Sequence, residues 1–215
     1  MINYHEEALK FIQTKDIEQA LAVYESALKQ NPNDPLIYTN IAQIVLSTGD
    51  IDKAIGLYEK AIELDEKCAI AYYGLGNVYY GIKDFAEAVG LYQKAISNGL
   101  NDSDVFFMLG MSFTNVKQDR FALLYLLRAT ELNNNDSEAL FQYGMCLARL
   151  GNYSEAIIVF KKTIELDDNN ADIYYNLGVA FYNQGNLEDS RLNLEVAIKF
   201  NPNHKYAIKA LEIFN

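Results

Sequence analysis

One pattern of side chains recurs along the chain six times, in register from Met1, at a period of 34 residues. Small residues occupy position 8 of every repeat: Ala8, Ala42, Gly76, Gly110, Gly144 and Gly178. Positions 20 and 27 are also small, whereas positions 4, 11 and 24 carry aromatic or branched residues. Helix axes roughly 8–10 Å apart need small side chains at their contacts, so the pattern predicts helix pairs stacked repeat upon repeat.

The segments YYGLGNVYYGIKDFAEAVGLYQKAI and IYYNLGVAFYNQGNLEDS resemble the tetratricopeptide-repeat family, and the resemblance covers residues 1–204 without an insertion. It implies an all-α fold, a right-handed α-solenoid (superhelix) of helix-turn-helix repeats that forms one domain over 1–215. The predicted repeats are 1–34, 35–68, 69–102, 103–136, 137–170 and 171–204, and a short capping helix takes 205–215.

Each repeat is predicted to hold a first helix from about position 2 to 14 and a second helix from about 18 to 31. Position 15, in the turn, is glycine in three repeats and lysine in the others, as Lys15, Lys83 and Lys117. Because a reversing chain favours positive φ there, we interpret the lysines as tolerated turn geometry. In the capping segment four apolar residues are spaced to cover the last repeat: Tyr206, Ile208, Leu211 and Phe214.

Composition limits the classes of partner. A formal charge of −11 and a pI near 4.6 oppose binding to phosphate backbones and anionic membranes, so neither nucleic acid nor membrane is a predicted partner. No apolar run approaches the ~20 residues that cross a bilayer, and the N-terminus does not resemble a signal peptide. Cys68 and Cys146 form no CxxC motif and are expected to be free thiols. These features predict a soluble cytoplasmic protein.

Catalysis finds no support in the residues. His5 and His204 lie in opposite terminal parts of the chain, so they cannot assemble one His-assisted nucleophile, and no paired His or Cys ligands stand at helical spacing. The glycine-rich stretch around Gly74 and Gly76 lies inside a helical repeat without a preceding strand, unlike a phosphate-binding loop. The sequence therefore predicts a protein that is not an enzyme, with no catalytic residue, metal or cofactor.

The resemblance implies that the first helices line a concave groove, chiefly through positions 2, 5, 6, 9, 12 and 13. Position 5 is aromatic in four consecutive repeats, and methionines and tyrosines surround it. Rings and methionines suit an adaptable site for peptide side chains, although such rings also pack adjacent first helices. These candidate groove residues are Tyr73, Tyr80, Phe107, Met108, Met111, Phe141, Met145, Tyr175 and Tyr182.

Amide side chains are the second feature of this groove: Asn40, Gln43, Asn77, Gln142 and Asn176. An amide both donates and accepts, so it can pair with the backbone of an extended peptide whatever its sequence. The pattern resembles an incomplete form of the asparagine ladder in the repeat region of protein O-GlcNAc transferases. Simple solvation of a polar face is the alternative interpretation.

The charges at the groove positions argue against one known ligand class. Family members that clamp the C-terminal carboxylate of chaperone tails use Lys or Arg at positions 2, 5 and 6, and no repeat carries either residue type there. Acidic carboxylate tails are therefore disfavoured, and Arg149 at position 13 is the only cation that the central groove offers. Asp104, Glu138 and Asp172 at position 2 could select a Lys or Arg of the partner, but we favour their interpretation as first-turn acids that stabilise their helices by ~0.3–1 kcal/mol.

The sequence thus predicts a non-enzymatic adaptor or scaffold that binds an extended or helical peptide segment of a partner protein in its concave groove. Two alternatives stay open. One is a self-associating structural scaffold, a homo-oligomer formed through the convex residues Leu124, Leu127 and Ile158 or through the cap face. The other is a regulatory subunit of an enzyme complex whose activity resides in a partner.

Overall fold

The computed structural model describes residues 4–214, and within this range the chain is all-α. The first helices of the repeats are α1 (Tyr4–Gln13), α3 (Pro35–Ser47), α5 (Ala69–Gly81), α7 (Ser103–Asn115), α9 (Ser137–Arg149) and α11 (Ala171–Gln184). The second helices are α2 (Ile17–Gln30), α4 (Ile51–Leu64), α6 (Phe85–Ser97), α8 (Asp119–Leu132), α10 (Tyr153–Leu166) and α12 (Leu187–Phe200). A last helix, α13 (Lys205–Leu211), runs into a 3-10 turn at Glu212–Phe214.

The helices form two compact units, Met1–Asn101 and Asp102–Asn215. Within each unit every helix contacts the next one along the chain, and neighbouring first helices also touch, α3 with α5 and α9 with both α7 and α11. The predicted α-solenoid built from helix pairs is confirmed. One continuous domain over 1–215 stays a prediction, and the two ends of that range, residues 1–3 and 215, lie outside the described residues.

Apart from α1, whose described part begins at Tyr4, the first helices begin at position 1 and the second helices at position 17, one residue before the predicted positions of about 2 and 18. For most helices the cause is a capping side chain on the residue directly before the helix; Cys68, Gln118 and Asn152, before α5, α8 and α10, accept no such bond. The Asp34 carboxylate accepts a hydrogen bond from the Leu36 N–H at 3.0 Å, and Asp16 accepts one from the Gln19 N–H at 3.2 Å. An N-cap that satisfies a free backbone donor fixes the first helical residue as the one that follows it.

The small residues at position 8 allow the two helices of a repeat to meet. A methyl group built on Gly144 would lie 2.7 Å from Cε1 of Phe160, at position 24 of the same repeat. The same relation joins Gly76 to Tyr92, again at 2.7 Å. These distances are shorter than a van der Waals contact, so in these two repeats a larger residue at position 8 would displace the core ring.

The turn inside each repeat places position 15 in the left-handed region, whichever residue stands there. The glycines have φ of 89°, 82° and 85° at Gly49, Gly151 and Gly185. The lysines have φ of 61°, 67° and 61° at Lys15, Lys83 and Lys117. The interpretation of these lysines as tolerated turn geometry is confirmed, and each carries the cost of a Cβ in that region.

We expect Lys83→Gly to raise the free energy of unfolding by about 0.5–1 kcal/mol. Relief of the left-handed Cβ, roughly 1–2 kcal/mol, outweighs the extra freedom of glycine in the unfolded chain, roughly 0.5–1 kcal/mol. Urea unfolding followed by circular dichroism measures the change. Lys83→Ala is the control, because it removes the same charge and keeps the Cβ. Equal stability of the two variants would contradict a backbone origin.

The cap covers the last repeat with a different set of residues from the one predicted. Ala207, Ala210, Leu211 and Phe214 pack around Leu194 and Ala197, whereas Tyr206 and Ile208 are 72% and 42% exposed. The prediction was right for Leu211 and Phe214 and wrong for Tyr206 and Ile208. Residues at i, i+3, i+4 and i+7 share one helix face, and that face here begins at Ala207.

Candidate peptide-binding surface

In each of the two units, the surface formed by positions 2, 5, 6, 9, 12 and 13 of the first helices is called the groove face. The first unit places Asn40, Gln43, Tyr73, Asn77 and Tyr80 on it, along α3 and α5. The second unit places the other candidates on α7, α9 and α11. Gln43 and Tyr182 are exposed, and the remaining candidates are half-buried.

In the second unit the aromatic candidates use one side for packing within the protein. The Phe141 ring lies 6.0 Å from the ring of Phe160, between centroids, and Phe141 and Met145 both pack against the core cluster around Phe160. Tyr175 lies 4.9 Å from His204, and Tyr182 meets Phe214 edge-on at 6.2 Å. Because these rings are only partly buried, the packing role and a ligand-contact role are compatible.

The first unit repeats this arrangement at Tyr73, whose ring is 5.9 Å from the ring of Tyr92. Tyr80 stands edge-on to Phe85 at 5.1 Å. Next to Asn40 and Gln43 a pocket of about 240 Å³ opens between α1, α2 and α3, with Leu9, Ile12 and Ile44 among its lining residues. Its volume and apolar lining suit a single aliphatic or aromatic side chain.

Three of the amide candidates are engaged inside the protein. The Asn77 Oδ1 accepts a hydrogen bond from the Tyr92 hydroxyl at 2.7 Å, and the Gln142 amide donates to Glu138 at 2.9 Å. The Asn176 amide donates to the backbone oxygen of Asp172 at 2.8 Å. An amide has further donor and acceptor capacity beyond one bond, so these contacts orient the side chains and leave groups for a ligand.

The charges of the groove face are largely paired within the protein. Arg149 forms an ion pair with Asp119 at 2.9 Å, so the predicted cation of the groove is held by the second helix of the preceding repeat. The backbone N–H of Ala207 donates to Nδ1 of His204, which leaves the Nε2 proton to donate to Asp172 at 2.9 Å. Asp172 and Glu138 thus each have a hydrogen-bond partner within the protein.

Sequence reasoning missed the tyrosine hydroxyls at position 24, in the first three repeats. The presence of tyrosine at a core position could have indicated these hydroxyl contacts, because a buried phenol needs a partner for its O–H. Tyr24 shares a hydrogen bond of 3.0 Å with Nδ1 of His5, and Tyr92 donates to Asn77. Tyr58 has no such bond, and burial raises the pKa of its hydroxyl to about 12. The Tyr58 hydroxyl is therefore a protonated donor at neutral pH.

Paired helices cross at glycine or alanine, and the first helices carry half-buried rings and amides on one face. These features define a helical-repeat protein. The chain belongs to the tetratricopeptide-repeat family. Models described as tetratricopeptide repeat match residues 40–103, 125–158 and 171–204, and one described as TPR repeat matches 8–49 and 144–185.

Solved structures agree with this assignment. YrrB, described as a TPR protein with an unusual peptide-binding site, is 40% identical, with a TM-score of 0.85 over 88% of this chain and 97% of YrrB. PilF of Pseudomonas aeruginosa is 19% identical, with a TM-score of 0.81 over 97% and 95% of the two chains. MamA is 22% identical, with a TM-score of 0.74 over 80% and 93%. The last two show the fold alone.

No curated protein sequence matches the chain. Among the helices of residues 4–214, none combines the length and the apolar character that a membrane crossing requires.

Proposed function

We propose that this protein is a non-enzymatic adaptor that binds an extended or helical peptide segment of a partner protein on its groove face. The observation that carries the proposal is the surface of α7 and α9. There Phe107, Met108, Met111, Phe141 and Met145 are half-buried, so each has a packed side and a side open to solvent. Side chains held in this way contribute apolar contact area to a ligand at little entropic cost.

The likeness to YrrB supports a peptide as the ligand, since that protein is described as having a peptide-binding site and shares 40% of its residues with this chain. The formal charge of −11 favours a protein partner over nucleic acid. Cys68 and Cys146 are free and buried, which supports the proposed cytoplasmic location.

Peptide selection followed by hydrogen exchange tests the proposal. A phage-displayed library of random dodecapeptides is selected on the full chain, and the best binder is synthesised. Bound peptide is expected to slow amide exchange in the first helices α7 and α9, because their side chains would form the contact surface. Failure to select any binder, or protection confined to the second helices, would reject the groove face as the site.

Self-association is the second candidate, and the second helices favour it. Leu124 and Ile158 are 61% and 69% exposed at the same repeat position of α8 and α10, and Leu127 is 37% exposed beside them. Exposed apolar residues in one row mark contact surfaces more often than scattered ones do. Sedimentation over a concentration series separates the candidates, since a chain that stays monomeric at high concentration cannot be a self-assembling scaffold.

A further inference from the structure

We propose that the Tyr58 hydroxyl reaches the groove face over Gly74 and donates a hydrogen bond to a main-chain carbonyl of the bound peptide. The inference rests on the proposed function and applies it to the groove face of the first unit, on α3 and α5. Tyr58 is a core residue of α4 at position 24, outside the set of first-helix positions that line the groove face.

Gly74 leaves the space into which the Tyr58 ring extends. Gly74 stands at position 6 of α5, where the other repeats carry Glu6, Asn40, Met108, Gln142 and Asn176. A methyl group built on Gly74 would overlap the Tyr58 ring and lie 2.8 Å from its hydroxyl oxygen. The phenol therefore fills the place from which a position-6 side chain would start. With no side chain at Gly74 to cover it, the Tyr58 hydroxyl takes that place on the groove face.

The hydroxyl of Tyr58 is unpartnered within the described part of the chain. The equivalent hydroxyls of Tyr24 and Tyr92 are bonded to His5 and Asn77 on the first helix of their own repeats. In the second repeat, Thr39 stands at the position of His5 and Gln43 at the position of Asn77. The Thr39 hydroxyl donates to the Pro35 oxygen at 2.9 Å, and Gln43 is exposed. No hydrogen bond joins Tyr58 to any described residue.

This unpartnered hydroxyl keeps some solvent-accessible area although only 3% of the Tyr58 residue is exposed. Among the described residues, Ser190 Oγ is the one fully buried side-chain oxygen that lacks a partner. The Tyr58 oxygen is therefore not fully enclosed, whereas the rest of the side chain is buried. A donor held rigidly by a buried ring, with water as its only partner, can exchange that water for a ligand acceptor at little cost.

The neighbouring groups indicate which ligand atom this donor meets. The Asn77 Oδ1 accepts from Tyr92, so the Asn77 side chain presents N–H donors. The groove-face positions of α3 and α5 carry no charged residue. Neutral donors around a glycine fit the carbonyl oxygens of an extended, uncharged main chain better than they fit a carboxylate or an ammonium group.

Titration of a synthetic dodecapeptide from the same selection, chosen because it slows amide exchange in α3 and α5, into three full-length proteins tests the inference: wild type, Tyr58→Phe and Tyr38→Phe. Tyr58→Phe removes one oxygen and keeps the ring. We expect it to weaken peptide binding about five- to tenfold, the effect of one hydrogen bond, without lowering the unfolding midpoint. Tyr38→Phe is the control, because its hydroxyl donates to the Pro32 oxygen at 3.0 Å, away from the groove face. Its affinity for the peptide should equal that of wild type.

A scan of the peptide identifies the acceptor. Each amide in turn is replaced by an ester, whose carbonyl is a weaker acceptor. One ester is expected to weaken binding to wild type and to have no further effect on binding to Tyr58→Phe. Unchanged affinity of Tyr58→Phe, or ester effects that are the same in both proteins, would overturn the inference and leave the proposed function standing. If no selected peptide slows amide exchange in α3 and α5, this inference fails while the proposed function stands, and if wild type binds no peptide at all, both fail.

Discussion

Replacing Phe107 and Phe141 together by glutamate is expected to weaken peptide binding by more than about 100-fold. Both rings are half-buried on neighbouring first helices, α7 and α9. Loss of an anchoring ring costs about 2 kcal/mol or more, so two such losses exceed the free energy of a 100-fold change. The new carboxylates also join Asp104 and Glu138, the acids of the same groove face. Titration calorimetry with the selected peptide measures the affinity.

The matched control places the same two charges on the other surface of the same repeats. Leu124→Glu with Ile158→Glu changes α8 and α10 at residues that are 61% and 69% exposed. Its peptide affinity should equal that of wild type. Circular dichroism should show unchanged helix content for both double variants. Retained binding by the Phe107 and Phe141 variant, or loss of binding by the control, would contradict a ligand site on the groove face.

The position of each helix was predictable because close packing restricts the repeat in several places at once. Gly76 and Gly144 must be small, since each contacts a ring of the facing helix, and these constraints recur at the period of the repeat. The helix starts were wrong by one residue. A side chain such as Asp34 ends the turn and caps the helix from outside it, and periodicity of apolar residues does not register that role.

The cap illustrates a limit of periodicity at a chain end. Within the repeats, six copies determine which face of a helix is buried. The cap helix has one copy of seven residues, so spacing alone allowed two neighbouring faces. The structure buries Ala207 and leaves Tyr206 72% exposed. The capping bond from the Ala207 N–H to His204, at 3.1 Å, fixes where the helix begins and thereby selects the buried face.

The candidate groove residues were predicted from the family positions, whereas their internal bonds depend on geometry that the sequence does not contain. Asn77, Gln142 and Asn176 look alike in sequence, yet they bond to a tyrosine, a glutamate and a backbone oxygen respectively. Tyr58 shows the same limit. The direction in which the Tyr58 ring points depends on the space left by Gly74, a residue of the following repeat.

Phe160→Ala is expected to lower the free energy of unfolding by about 3–5 kcal/mol, the usual cost of removing a buried phenylalanine ring. Phe160 is 0% exposed, and its ring lies against both Gly144 and Phe141. The side chain of Gly144 is only a hydrogen atom, so it cannot fill the resulting cavity, and collapse would need the helices themselves to move. Chemical unfolding followed by circular dichroism gives the change.

Ile158→Ala supplies the comparison on the same helix, where the side chain is 69% exposed and its removal should cost less than about 1 kcal/mol. Equal costs for the two substitutions would show that position 24 is not the anchor of the repeat. The Phe160 variant also links the core to the groove face. The Phe141 ring would lose its 6.0 Å contact with Phe160, so a peptide that uses Phe141 should bind Phe160→Ala more weakly, even under conditions where that variant is fully folded.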